Sequence, residues 1–79
     1  MSDLPGMDIK LKVGQRIREL RKELELSQEA LANEAEVDRT YVTDVEAGRR
    51  NVSLEILERL VTALSVSFSE FFNSKEFKK

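Results

Sequence analysis

Residues 27–50 read SQEALANEAEVDRTYVTDVEAGRR, and this stretch decides the fold. Its first part is rich in Ala, Glu and Leu, which favour a helix, and Ser27 is a suitable N-cap for a helix over Gln28–Ala35. The helical pattern stops and resumes after Asp38, a second candidate N-cap, with a helix from Arg39 to about Glu46. We therefore predict two short helices joined by a tight turn.

Apolar residues at helical spacing indicate the flanking helices. Helix 1 is predicted from Asp8 to about Glu25, and its inward face comprises Ile9, Val13, Ile17, Leu20 and Leu24. Ser53 opens helix 4, whose apolar stripe comprises Leu54, Leu57, Leu60, Val61 and Leu64. Along the sequence, helix 1 therefore precedes the pair of short helices and helix 4 follows it.

A fifth helix is predicted after Ser67, which forms a capping box with Glu70. It carries Phe68, Phe71 and Phe72. The sequence therefore predicts an all-α fold of five helices, with a domain over residues 8–73, a flexible N-terminus at 1–7 and a fraying C-terminal tail at 74–79.

The composition is that of one globular domain, with 79 residues, 41% hydrophobic and 35% charged. No stretch has the apolar core of a signal peptide or the length of a membrane span, so we expect a cytoplasmic protein that does not bind membranes. The chain has no Cys and no His, its carboxylates lack metal-ligand spacing, and no Gly-rich loop cradles phosphate. We therefore predict no enzyme activity, no metal and no cofactor.

The distribution of charge matters more than the net charge of −2, which argues weakly against a nucleic-acid partner. Helix 1 concentrates basic residues, namely Lys10, Lys12, Arg16, Arg18, Arg21 and Lys22. A later group comprises Arg39, Arg49 and Arg50. This pattern predicts a basic side, although a basic helix face taken alone is more often a solvated surface.

Residues 28–47 resemble the helix-turn-helix of the phage-repressor or Xre-like transcriptional regulators. The similarity continues in order over GQRIRELRKELELSQEALANEA, RTYVTDVEAGRRNVSLEILERLVTAL and VSFSEFF, from about Val13 to Phe72. It implies a lambda-repressor-like domain whose helix-turn-helix is formed by helices 2 and 3. In this family the second helix of the motif lies in the major groove, so its exposed positions serve DNA rather than helix propensity.

The resemblance assigns residues to two kinds of DNA contact. The candidates for contact with bases are Arg39, Thr40, Thr43 and Asp44. The candidates for contact with phosphates are Gln28, Tyr41, Arg49, Arg50 and Asn51. An arginine can pair with guanine O6 and N7, and a threonine can offer thymine a hydroxyl and a methyl. Asp44 can accept from a cytosine amino group or exclude wrong bases.

Other family positions concern the scaffold. Arg21 and Glu46 match positions that pair and tie helix 1 to the end of helix 3. Glu36 stands where the family usually has Gly, at a turn residue expected near positive φ. Ala47 stands where many relatives carry Arg, so one expected DNA contact is missing.

Aromatic residues near the C-terminus exceed what so small a core requires. We divide them between the core and a dimer interface, for which the candidates are Ile56, Phe68, Phe72 and Phe77.

The resemblance implies a sequence-specific transcriptional regulator that binds a palindromic double-stranded DNA operator as a homodimer. RNA polymerase is a further candidate partner, no small-molecule ligand is expected, and the bound protein would associate with the nucleoid. The segment DRTYVTDVEAGRRNVSLEIL looks like the autoregulatory controller proteins of restriction–modification systems. Two alternatives stay open: a small phage-type repressor, and an antitoxin or adaptor whose main role is to bind a protein.

Overall fold

The computed structural model describes residues 8–78. It contains α1 (Ile9–Glu23), α2 (Gln28–Ala35), α3 (Arg39–Glu46), α4 (Leu54–Ala63) and α5 (Phe68–Phe72), followed by a 3-10 turn at Lys75–Phe77. The predicted all-α fold of five helices is confirmed, and α2 and α3 pack together as the helix-turn-helix. The N-terminus predicted to be flexible, residues 1–7, lies outside the described residues. Within 8–78 no helix is long and apolar enough to cross a membrane.

Side-chain caps fix the starts of four helices. The capping oxygens belong to Asp8, Ser27, Ser53 and Ser67, which accept from backbone N–H groups three residues later at 2.9–3.1 Å. Asp38 occupies the predicted N-cap position of α3 with an extended backbone, but its side chain makes no capping hydrogen bond. The predicted N-cap position of Asp38 is therefore confirmed, but without a side-chain hydrogen bond α3 depends more on packing for its stability.

The turn between α2 and α3 is made by Glu36 in the left-handed conformation, with φ 61° and ψ 45°. The predicted positive φ is confirmed. A residue other than glycine costs roughly 1 kcal/mol in this conformation. The following N–H, that of Val37, donates to the Ala32 carbonyl at 2.9 Å, and the Val37 side chain packs against the core. These contacts set the angle between the two helices.

The core is one cluster of buried apolar side chains from all five helices. Its members are Val13, Ile17, Leu20, Leu31, Ala32, Ala35, Val42, Val45, Leu57, Leu60, Val61, Leu64 and Phe71. Three residues predicted to face inward are exposed: Ile9 by 59%, Leu24 by 45% and Leu54 by 80%. Each lies at a helix end, in the first turn or the C-cap, where the helix extends past its neighbours.

Gly14 lets α1 lie directly against the end of α3. A Cβ at this position would come within 2.9 Å of the Glu46 carbonyl oxygen and would clash with the carbonyl oxygen of Val45. Helix propensity disfavours Gly inside a helix, so the close approach is the reason for its presence. The same packing places Arg21 of α1 in contact with Glu46 in the last turn of α3.

Arg16 joins α1 to α5 instead of contributing to a basic surface. Its Nε and one terminal nitrogen donate to the carbonyl oxygens of Phe71 and Glu70 at 2.7 and 2.8 Å. Both carbonyls lie in the last turn of α5, where helix carbonyls lack the usual partner four residues later, and that of Glu70 also accepts from the C-cap N–H of Asn73 at 3.2 Å. The guanidinium therefore acts as a C-terminal cap for α5, a role that its position on a basic helix did not indicate.

Part of the C-terminal tail, which was predicted to fray, forms the 3-10 turn at Lys75–Phe77, and this turn contacts α1. The Phe77 ring lies 6.1 Å from that of Phe71 and 4.8 Å from that of Phe72, measured between centroids. Ser74 donates to Glu76 at 2.6 Å. These contacts hold the 3-10 turn on α1 and α5, because they bury aromatic surface that would otherwise face water.

Candidate nucleic-acid interface

The four candidates for base contact form one strip along α3. Arg39 and Thr40 are exposed in its first turn, and Thr43 and Asp44 follow one turn later, half-buried. Residues four apart on a helix are neighbours on its surface, so the pairs 39/43 and 40/44 share one side. The opposite side of α3 carries Val42 and Val45, which are buried in the core.

An ion pair between Arg21 and Glu46 holds the end of α3 that carries the strip. The Arg21 guanidinium donates to both carboxylate oxygens of Glu46, at 2.6 and 2.9 Å, and to the Leu26 carbonyl at 2.8 Å. The hydrogen bond to Glu46 raises the pKa of Arg21. The pair fixes the last turn of α3 to α1, as the resemblance implies for these two positions.

Gln28 extends this network to the α3 strip. Its amide nitrogen donates to Glu46 at 3.0 Å, and its amide oxygen accepts from the Thr43 hydroxyl at 2.8 Å. The same hydroxyl lies 3.1 Å from the Arg39 carbonyl oxygen. The Gln28 side chain, a candidate for phosphate contact, is thus engaged within the protein.

Asp44 binds two arginines of the loop that follows α3. Its carboxylate oxygens lie 3.1 Å from Arg49 and 3.5 Å from Arg50. The Arg50 guanidinium also lies over the Tyr41 ring, with its carbon 4.4 Å from the ring centroid. The two arginine side chains remain 63% and 43% exposed, so their other N–H groups are open to a ligand. Asn51 is exposed next to them.

The chain reverses direction at Gly48, and this places Arg49 and Arg50 beside α3. It follows the C-cap Ala47 with φ 76°, and a Cβ there would clash with the Leu11 side chain. The next N–H, that of Arg49, donates to the Asp44 carbonyl at 2.9 Å. Sequence reasoning missed the pairing of Asp44 with the arginines, although the Gly at the helix end was a signal that the chain reverses there.

Two of the helix 1 residues counted toward the predicted basic side are engaged within the protein. Arg16 and Arg21 are engaged with backbone carbonyls and with Glu19 and Glu46. The exposed positive charge beside the α3 strip comes instead from Arg39, Arg49 and Arg50. Over residues 8–78 no group of three or more Asp or Glu side chains is placed to hold a metal ion.

A second surface is apolar, and its cleft reaches Val45 of α3 and the loop residues Arg50 and Asn51. Phe68 and Phe72 are 39% and 38% exposed, and their rings stack at 6.3 Å. A cleft of about 230 Å³ beside Phe72 is bordered by the exposed residues Ile9 and Leu54. We call these four residues the apolar patch. Of the other candidates for a dimer interface, Ile56 and Phe77 are half-buried and pack against the core.

Comparison with known proteins gives consistent matches. The profile of the helix-turn-helix family matches residues 17–71. Control protein C.MunI from a Mycoplasma species is 44% identical over 70 residues, which cover 87% of this chain and 95% of the relative. Control protein C.BamHI from Bacillus amyloliquefaciens is 45% identical over 60 residues, covering 75% of this chain and 74% of the relative.

Solved structures agree with these matches. The crystal structure of the restriction–modification controller protein C.AhdI from Aeromonas hydrophila is 51% identical with a TM-score of 0.77, and the match covers 80% of this chain and 96% of that one. The C.Esp1396I tetramer in complex with its natural 35-base-pair operator is 36% identical with a TM-score of 0.82, covering 89% and 95%. The chain therefore belongs to the Xre-like helix-turn-helix family, and its relatives include the controller proteins of restriction–modification systems.

Proposed function

We propose that this protein is a sequence-specific transcriptional regulator that binds a palindromic DNA operator as a homodimer and controls a restriction–modification system, including its own gene. The observation that carries the proposal is the α3 strip with Arg39 and Thr40 exposed and with Arg49 and Arg50 beside it. A helix of this kind fits the major groove, and flanking arginines suit phosphates. The solved C.Esp1396I assembly with its operator supports the same mode of action here.

Within this proposal Arg39, Thr40, Thr43 and Asp44 face the base edges. Phosphates are bound by Tyr41, Arg49, Arg50 and Asn51, and by the backbone N–H of Gln28. We assign the backbone rather than the side chain of Gln28, because its amide is engaged with Thr43 and Glu46, whereas the first N–H groups of a helix lack partners within it.

The homodimer is proposed to form through the apolar patch. One helix-turn-helix contacts half of a site, and a two-fold dimer places two such motifs on half-sites about 34–36 Å apart. Exposed aromatic rings such as those of Phe68 and Phe72 are enriched in interfaces between subunits.

RNA polymerase is the further partner that we propose, for a regulator that activates transcription through direct contact. We assign no catalytic step to the chain, because its family consists of DNA-binding regulators. A protein that works on DNA in this way belongs in the cytoplasm, associated with the nucleoid while bound.

The test is selection of binding sites from randomised duplexes by the full chain, followed by affinity measurements on the selected site. We expect a palindromic site. Arg39→Ala should weaken binding by about 1–3 kcal/mol and relax preference at one base position. Arg50→Ala should weaken specific and random duplexes alike and lower the slope of log K against log salt by about one.

The two substitutions serve as controls for each other, because both remove an arginine near DNA. Equal weakening of all sequences by Arg39→Ala would make Arg39 a phosphate contact. An unchanged salt slope for Arg50→Ala would remove Arg50 from the phosphate contacts. Recovery of no preferred site at modest ionic strength would overturn the proposed function itself.

A further inference from the structure

Thr43 lies on the α3 strip, but its hydroxyl is not free to act as a hydrogen-bond donor to DNA. The hydroxyl has one hydrogen, and two acceptors of the protein lie within its reach. They are the amide oxygen of Gln28 at 2.8 Å and the carbonyl oxygen of Arg39 at 3.1 Å. When the hydroxyl donates to either of these acceptors, its hydrogen is not available to DNA.

The orientation of Gln28 is fixed by the groups behind it. Arg21 donates to both oxygens of Glu46, which identifies Glu46 as an ionised carboxylate that can only accept. The group of Gln28 that faces Glu46 at 3.0 Å must therefore be its NH2, and its oxygen must face Thr43. Thr43 then has to be the donor in that contact. Four side chains thus determine the direction of a single hydrogen bond.

We infer that Thr43 reads its base pair through its methyl group, and that its base is a thymine, recognised by the C5-methyl in the major groove. A threonine without a free hydrogen cannot donate to guanine O6 or N7 or to thymine O4. The oxygen keeps a lone pair that can accept from adenine N6 or cytosine N4, but the methyl group has an apolar partner in the major groove only at thymine. Gln28 is a positioning residue in this scheme. The inference rests on the proposed function and specifies what one position of the α3 strip recognises.

The experiment combines a base change with two changes of Thr43. The full chain first selects its site from randomised duplexes, and each thymine of a half-site is then replaced by uracil, which lacks only the methyl. We expect one thymine whose replacement weakens binding about fourfold, the factor that corresponds to burial of one methyl group. Thr43→Ser keeps the hydroxyl and the bond to Gln28, and it should bind thymine and uracil sites equally. Thr43→Val keeps a methyl, and it should retain the fourfold difference.

Thr40→Ser is the matched control, because it removes the methyl of the neighbouring threonine, and it should leave the sensitivity assigned to Thr43 unchanged. Thermal unfolding reports whether Thr43→Val tolerates the lost donor, and if that variant does not fold, Thr43→Ser decides alone.

Full thymine sensitivity in Thr43→Ser would overturn the inference, and so would a wild-type protein that tolerates uracil at every position. In both cases a selected operator would leave the proposed function standing. Failure to select any operator would overturn both.

Discussion

Arg21 binds Glu46 through two hydrogen bonds of 2.6 and 2.9 Å and so joins α1 to the last residue of α3. The two side chains are 11% and 4% exposed. Loss of one partner from such a pair leaves the other charge in a poorly solvated place, and this costs more than the pair contributes net.

We therefore expect Arg21→Met to lower the free energy of unfolding by about 3 kcal/mol. The double variant Arg21→Met with Glu46→Leu should lose less than either single variant, because no charge remains unpaired. Urea denaturation followed by circular dichroism measures all three. A loss below about 1 kcal/mol for the single variant would indicate a solvated pair of little structural consequence.

Gly14→Ala tests the close approach of α1 and α3. Helix propensity alone predicts that Ala stabilises an internal helical position by about 1 kcal/mol relative to Gly. The added Cβ would instead meet the Val45 and Glu46 carbonyls, and we expect a loss of about 1–3 kcal/mol from overpacking. Arg18→Ala, at an exposed position of the same helix, should change stability by less than about 0.5 kcal/mol. Stabilisation by Gly14→Ala would show that the helices do not touch there.

The helices were predictable because their signals are local. Ser27, Ser53 and Ser67 precede apolar residues at helical spacing, and each caps a helix in the structure. Even the positive φ of Glu36 followed from the resemblance, since the turn requires it whichever residue stands there.

What could not be predicted depends on contacts between distant residues. Arg16 has no local signal for capping α5, because its acceptors lie 54 and 55 residues away. Phe77 lies in a polar segment, and its ring packs against the aromatic rings of α5, a contact that the sequence pattern predicting helices does not indicate. The engagement of the Gln28 amide also depends on how α2 and α3 cross, which spacing along the chain does not determine.

Stability should depend on pH through Glu19 and Glu76, which lie next to Arg16. The hydrogen bond with Glu76, together with burial, raises the pKa of Glu19. Burial also acts to raise the pKa of Glu76, but hydrogen bonds with Glu19 and Ser74 outweigh it and lower that pKa. The folded state thus holds a proton on Glu19 more tightly than the unfolded state does, and loses this stabilisation as the pH rises through the raised pKa. The stabilisation from Glu76 is lost as the pH falls through its lowered pKa.

We therefore expect Glu19→Gln, which is neutral at every pH, to unfold at a higher temperature than the wild type at pH 7. The advantage should shrink as the pH falls toward the ordinary glutamate pKa, because Glu19 itself then becomes protonated. Thermal unfolding across pH 4 to 8 measures the difference, with Glu23→Gln as the control at an exposed position of α1. A constant difference at all pH values would contradict the raised pKa of Glu19.

The substitution Asp44→Asn distinguishes two roles of the Asp44 carboxylate, which are to hold the two loop arginines and to contact a base. If Asp44 chiefly holds Arg49 and Arg50, its neutralisation frees both arginines for phosphates, and binding to random-sequence duplexes should strengthen about three- to fivefold. Glu58→Gln makes the same charge change at an exposed position of α4 and should have a smaller effect. Loss of preference at one base position, with random binding unchanged, would identify Asp44 as a base contact instead.

Phe72 and Phe77 should respond differently to substitution by Ala, although the sequence made both of them candidates for a dimer interface. Phe72 is 38% exposed in the apolar patch, whereas Phe77 is half-buried with its ring against Phe71. We expect Phe72→Ala to weaken self-association at least tenfold in sedimentation analysis, while changing monomer stability less than Phe77→Ala does. Phe77→Ala should destabilise the fold by about 1–3 kcal/mol, as removal of a partly buried ring does, and should leave the association of the folded protein near the wild-type value. Because each variant is read in both assays, the reverse result would move the proposed interface from the apolar patch to the C-terminal turn.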